Sequence, residues 1–137
     1  MPEQTATPQE LFARFQRNVL DGGVAITEDM CAEDIVVESP FASGGSRRIE
    51  GREAFLSLAE EGRAALDVRF EGFSDVVIHQ TADPEVIVAE YVLTGTAGAA
   101  GRTASSAFVL VMRARDGRIV HWREYQDVAA MKAALGD

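Results

Sequence analysis

From Val68 to Gln126 the chain consists of four long β-type runs divided by short turn signals, and no other stretch constrains the fold so tightly. The runs cover about Val68 to His79, Val86 to Thr96, Arg102 to Arg115 and Arg118 to Gln126, and are rich in β-branched residues. Thr81 to Pro84, the Gly/Ala stretch at 97–101 and Asp116-Gly117 separate them. Asp-Gly is a strong two-residue hairpin signal, because both central positions of a type I′ turn need positive φ. Runs joined this way pair as an antiparallel meander, and the apolar face of such a sheet must be buried against other elements. That cover has to come from the N-terminal half.

Helix signals are present there. Thr7 can cap, Pro8 suits a first helical position, and Glu10 completes a capping box, so a helix is expected from Pro8 to about Asp21, ended by Gly22-Gly23. Leu11, Phe12, Phe15 and Val19 form one stripe on it. A short second helix is expected near Ala25 to Met30, then a strand from Ile35 to Ser39 stopped by Pro40. Phe41 to Arg48 reads as a mobile loop, followed by a third helix from about Arg52 to Leu66 with Phe55, Leu58 and Ala59 on one face. The expected class is α+β over one domain, 1–137, with three N-terminal helices on the concave face of a bent, mixed, mainly antiparallel sheet. Phe12, Phe15, Val19, Phe55, Leu58, Val109 and Val111 are expected buried around a pocket.

Charge narrows the partners. Twenty-two acidic against 13 basic residues give a net charge of −9, which opposes binding to nucleic acid or anionic membranes. No apolar run approaches the roughly 20 residues of a membrane span, and the N-terminus lacks a signal-peptide pattern, so a cytoplasmic protein is expected. Arg47, Arg48 and Arg52 form a local basic group that reads either as an anion site or as solvated charge. Cys31 reads as a small buried hydrophobe. His79 and His121 stand alone, with no spaced Cys/His set for a metal, and Ser39 lacks the context of a nucleophile.

The chemistry concentrates in the last strand. Alternation sets Trp122, Glu124 and Gln126 on one face and His121, Arg123, Tyr125 and Asp127 on the other. If the first face lines a dry cavity, Glu124 gains a raised pKa and becomes a proton carrier near neutral pH; if it faces water, Glu124 is a solvated surface charge.

The order ααβαββββ, the turn DGRI, and the ending WREYQD with a short tail closing on AALG resemble the nuclear transport factor 2-like superfamily over nearly the whole chain. That resemblance implies a cone-shaped fold with an apolar pocket, shared by ketosteroid isomerases, limonene epoxide hydrolases, SnoaL-type polyketide cyclases and PhzA/PhzB proteins. The three catalytic positions of ketosteroid isomerases match Ser39, Phe15 and Val109, none of which can supply that chemistry. The water-activating aspartate of limonene epoxide hydrolases matches Glu124, but their supporting arginine and second aspartate match Tyr91 and Leu93. PhzA/PhzB proteins look similar in the DP-containing turn, at Glu90 and in an REF segment whose acid/base glutamate matches Glu124, with asparagine where Asp127 stands here.

The resemblance therefore implies a cofactor-free enzyme of secondary metabolism. Glu124 would be its catalytic acid/base for cyclisation, condensation, isomerisation or dehydration of an apolar, polyketide-like or aromatic molecule. Ser39, Tyr91, Trp122, Gln126, Phe15 and Val109 would contact the substrate. The alternative is a non-catalytic ligand-binding or dimerisation module of the same fold. A homodimer is expected through outward apolar positions Val86, Val88, Val92, Leu110 and Tyr125.

Overall fold

The computed structural model describes residues 5–135, so the extreme ends of the 1–137 span and Gly136 of the tail lie outside the described residues. In chain order the elements are α1 (Pro8–Leu20), a 3₁₀ turn (Glu28–Met30), β1 (Cys31–Ser39), β2 (Arg47–Glu50), α2 (Arg52–Ala65), β3 (Val68–Gln80), β4 (Val86–Ala97), β5 (Arg102–Arg115), β6 (Arg118–Gln126) and α3 (Val128–Leu135). One six-stranded sheet has the order β2-β1-β6-β5-β4-β3. Only β1 and β6 run parallel; the other neighbours are antiparallel.

Local signals set the elements that position the cavity. Thr7 Oγ1 accepts from the Glu10 N–H at 3.1 Å while the Glu10 carboxylate accepts from the Thr7 N–H at 3.0 Å, the reciprocal capping box. At the other end of α1 the Gly22 N–H donates to the Val19 carbonyl and the Gly23 N–H to the Asn18 carbonyl, with Gly22 at φ 83°, a Schellman stop. Asp116 and Gly117 take φ 54° and 77°, as a type I′ hairpin between β5 and β6 requires. Two register irregularities in β3, at Phe70/Gly72 and Ser74/Val77, are of the kind that bend and twist a strand.

The meander's register aligns three rows across the concave face: Ile87–Met112–Trp122, Ala89–Leu110–Glu124 and Tyr91–Phe108–Gln126. Against these rows α1 packs Leu11, Phe12, Phe15 and Val19, all buried. Burying these four side chains stabilises the fold by roughly 1.5–3 kcal/mol each before entropy is counted.

Several expectations need correction. Val109 is 37 % exposed on the convex face, and Val111 lies beside it, because pairing Leu110 with Glu124 sends the odd-numbered residues of β5 outward. For the same reason Leu110 is fully buried and is not part of the outward apolar surface. Leu58 is 41 % exposed: α2 turns Phe55 and Leu56 to the core instead. The second helix is a single 3₁₀ turn, and β1 starts at Cys31 rather than Ile35. Part of the expected mobile loop is strand β2, which pairs Arg47 to Glu50 with Val36 to Ser39 and sets Arg48 2.9 Å from Glu38. Cys31 is fully buried, and burial pushes its thiol up to about 11, so it is an inert core residue as read.

Candidate active site

Glu124 stands near the end of β6, two residues from the only tryptophan and on the same concave face. The indole Nε1–H of Trp122 donates to Glu124 Oε1 at 2.7 Å. Trp122 is itself immobilised, 1 % exposed, with its ring 4.8 Å from that of Phe15. One carboxylate oxygen thus has a fixed donor. Beside it lie two apolar chambers, both partly open to solvent, that share Leu66, Phe70 and Glu124 as a common wall. The first, about 270 Å³, is lined by Phe15, Val19, Ile26, Val37, Phe55 and Trp122 among others. The second, about 330 Å³, is lined by Val68, Leu93, Ala104, Phe108 and Gln126.

This setting shifts the carboxyl group. Burial pushes the Glu124 pKa above the ordinary glutamate value, and the hydrogen bond from Trp122 offsets part of that rise by favouring the anion. Glu124 keeps some accessible surface, but it is surface that walls the chambers. A carboxylate held this way can take a proton from a carbon acid or return one to a neighbouring atom.

Tyr91 is 3 % exposed and ringed by Phe12, Phe15, Phe73 and Phe108, the last stacked on it at 5.0 Å. Burial and then the nearby Glu124 charge push its hydroxyl well above the usual phenol range, so it stays protonated; expected to contact substrate, Tyr91 is instead a packed core residue that is not among those walling either chamber.

Of the other residues singled out from sequence, Phe15 and Trp122 wall the first chamber and Gln126 the second. Ser39 lies at the end of β1 opposite Arg47 and is not among the residues walling either chamber. Val109 faces away from both, in a separate surface depression with Glu90 and Asp127. Arg47, Arg48 and Arg52 do not converge: Arg48 pairs with Glu38 and Glu50, and Arg52 donates to the Cys31 carbonyl at 3.3 Å. His79 pairs with Glu90 and His121 with Glu38, each at 2.6 Å on the convex face. Among the described residues no three His, Cys, Asp or Glu side chains are grouped to hold a metal.

Sequence reasoning missed Arg63, which lines the first chamber from the last turn of α2. Its only signal was a cation near a helix C-terminus, where unsatisfied carbonyls collect.

The six-stranded, mainly antiparallel mixed sheet with its helices has the nuclear transport factor 2-like fold. Within it the chain belongs to the SnoaL-like domain family, whose model matches residues 9–122. An uncharacterized PhzA/B-like protein of Pseudomonas aeruginosa is 32% identical over 93% of this chain and 89% of its own length. A Bacillus subtilis crystal structure, provisionally assigned as an isomerase, superposes with a TM-score of 0.81 at 26% identity, covering 93% of this chain and 91% of that one. A Xanthomonas campestris structure provisionally assigned as a polyketide cyclase has the same fold, with a TM-score of 0.73 at 21% identity over 93% and 95% of the two chains.

Proposed function

We propose that this SnoaL-like protein is an enzyme of secondary metabolism in which Glu124 moves a proton on an apolar small molecule held across the two chambers. The observation that carries this reading is the Glu124 carboxyl at the shared wall of two apolar spaces, with Oε1 bonded to the Trp122 indole. That geometry leaves Oε2 to act on substrate. In the base step, Oε2 removes a proton from a carbon beside a carbonyl or imine and the C–H electron pair moves into an enolate or enamine. In the acid step the same proton is delivered to another atom of the substrate, giving isomerisation or assisting cyclisation, and Glu124 returns to its starting form. Nothing in this cycle consumes an oxidant or a cofactor. The cyclase and isomerase assignments among structural neighbours support the reaction class, and the PhzA/B-like relative supports small-molecule biosynthesis as its setting.

The test uses proton exchange rather than a known product. Enolisable aromatic and polyketide-like ketones are incubated with the protein in D₂O, and deuterium uptake at carbon is followed by NMR. For any compound that exchanges, Glu124→Gln is expected to lower the rate about 10²–10⁴-fold, the usual worth of a general base. Exchange at the wild-type rate in that variant would move the weight to a non-catalytic ligand-binding module.

A further inference from the structure

We propose that Arg63 anchors an oxygen of the substrate, so that the cavity takes an elongated apolar molecule bearing a carboxylate or carbonyl group at the end lodged in the first chamber. The proposal rests on the reading of Glu124 as the reacting group.

Arg63 is held before any ligand arrives. Its Nε–H donates to the Gly22 carbonyl at 3.1 Å, Nη1 to Leu66 at 3.1 Å and Nη2 to Val68 at 3.2 Å. The guanidinium lies 5.7 Å from the centre of the Phe70 ring, a residue that both chambers share. Of its five N–H groups these bonds use three, one from each nitrogen, which leaves one donor on each terminal nitrogen. A guanidinium fixed by three carbonyls gives up little further freedom on binding, so a ligand oxygen gains a charge-assisted bond at low entropic cost.

The three carbonyls solvate the charge without neutralising it. Among the described residues no carboxylate lies within ion-pair distance of Arg63, although acidic residues outnumber basic ones 22 to 13. Burial and the Trp122 bond account for the shift of Glu124, so Arg63 does not neutralise it either. What sets Arg63 apart is its place in the wall of an apolar chamber, with two N–H groups beyond those its three carbonyls use. Apart from the shared Glu124, the second chamber is lined by uncharged polar groups only, Ser105, Ser106 and Gln126; the Ser105 hydroxyl shares a 2.7 Å hydrogen bond with that of Thr94 and the Ser106 hydroxyl donates to the Asp127 carbonyl. Polarity along the cavity thus orients a substrate with its oxygen-bearing end toward Arg63 and its reacting carbon at Glu124.

A pair of probes tests this on the full chain. 1-Anilinonaphthalene-8-sulfonate and N-phenyl-1-naphthylamine share a ring skeleton and differ by the sulfonate. Quenching of Trp122, the only tryptophan, reports binding, and the response to Arg63 substitution places it in the first chamber. Wild type is expected to bind the anionic probe at least tenfold more tightly than the neutral one. Arg63→Gln should erase the preference while keeping the neutral probe's affinity, and Arg63→Lys should keep part of it. Equal affinities in wild type, or an undiminished preference in Arg63→Gln, would overturn the proposal. Should Arg63→Gln lose both probes through loosening of α2, wild type and Arg63→Lys decide: a preference that falls in 1 M salt and in the lysine variant supports the anchor, and an unchanged one sinks it. Glu124→Gln is expected to retain the preference, so failure of the anchor and failure of the catalytic reading are separate results.

Discussion

Glu124 couples stability to pH in the direction opposite to a salt-bridged carboxylate. Its folded-state pKa is raised, so the native protein holds that proton to higher pH than the unfolded chain does. Its contribution therefore becomes unfavourable as pH rises from the ordinary glutamate value of about 4.3 through the raised native value, and is constant above that. Glu124→Gln removes the penalty while its amide oxygen can still accept from Trp122. Urea unfolding should find the variant more stable than wild type near pH 8, with the gap closing near pH 4; a constant gap would contradict the assignment. Trp122→Phe makes the complementary case. Loss of the indole donor should raise the Glu124 pKa further and move the rising limb of the exchange-rate profile to higher pH, at a stability cost of roughly 1–3 kcal/mol for the lost core volume. An unmoved limb would mean that Trp122 only fills space. The phase of Trp122, Glu124 and Gln126 was legible from alternation alone. That of Val109 was not, because β5 carries apolar residues on both faces and alternation there has no contrast.

Among the elements, β3 crowds β4 at Gly95, where side chains of Val68 and Phe70 fill the space a Cβ would take. A Cβ there would lie 2.8 Å from Val68 Cγ1 and 3.3 Å from both the Arg69 carbonyl oxygen and the Phe70 ring. Val68 and Phe70 both wall the second chamber, so Gly95→Ala has to displace them. The expected outcome is a cost of roughly 1–3 kcal/mol in denaturant unfolding, together with weaker binding of ligands that fill that chamber. Full stability with unchanged binding would show that β3 shifts freely. Helix α1, the long strands and the Asp116-Gly117 hairpin were legible because each carries its own local signal: a capping box, β-branched runs, a turn dipeptide. Strand β2 was not, since Gly/Ser-rich sequence before Arg47 conceals a strand whose pairing depends on Glu38 across the ladder. The face of α2 was misread at Leu58, because a helix that caps a cavity buries a narrower stripe than one that covers a full core.

At the scale of the molecule, the convex face keeps a run of apolar side chains, Val88, Val92, Val109, Val111 and Tyr125, with exposed Phe41 edge-on to Tyr125 at 5.4 Å. We propose that a second copy covers it. Sedimentation should give about twice the 14.8 kDa chain mass at micromolar concentration, and Val109→Glu should shift it toward monomer; a monomeric wild type would refute this. The cavity lies on the opposite face, so its chemistry should persist in the dissociated protein. The proposed chemistry needs the Glu124 carboxyl to be held in its apolar setting as a proton carrier. Its most direct test is a carbon-detected NMR titration of the Glu124 side-chain carboxyl, assigned by comparison with Glu124→Gln. The midpoint should lie clearly above the ordinary glutamate value of about 4.3 and move higher still in Trp122→Phe; a midpoint at or below that value would rule out Glu124 as the proton carrier.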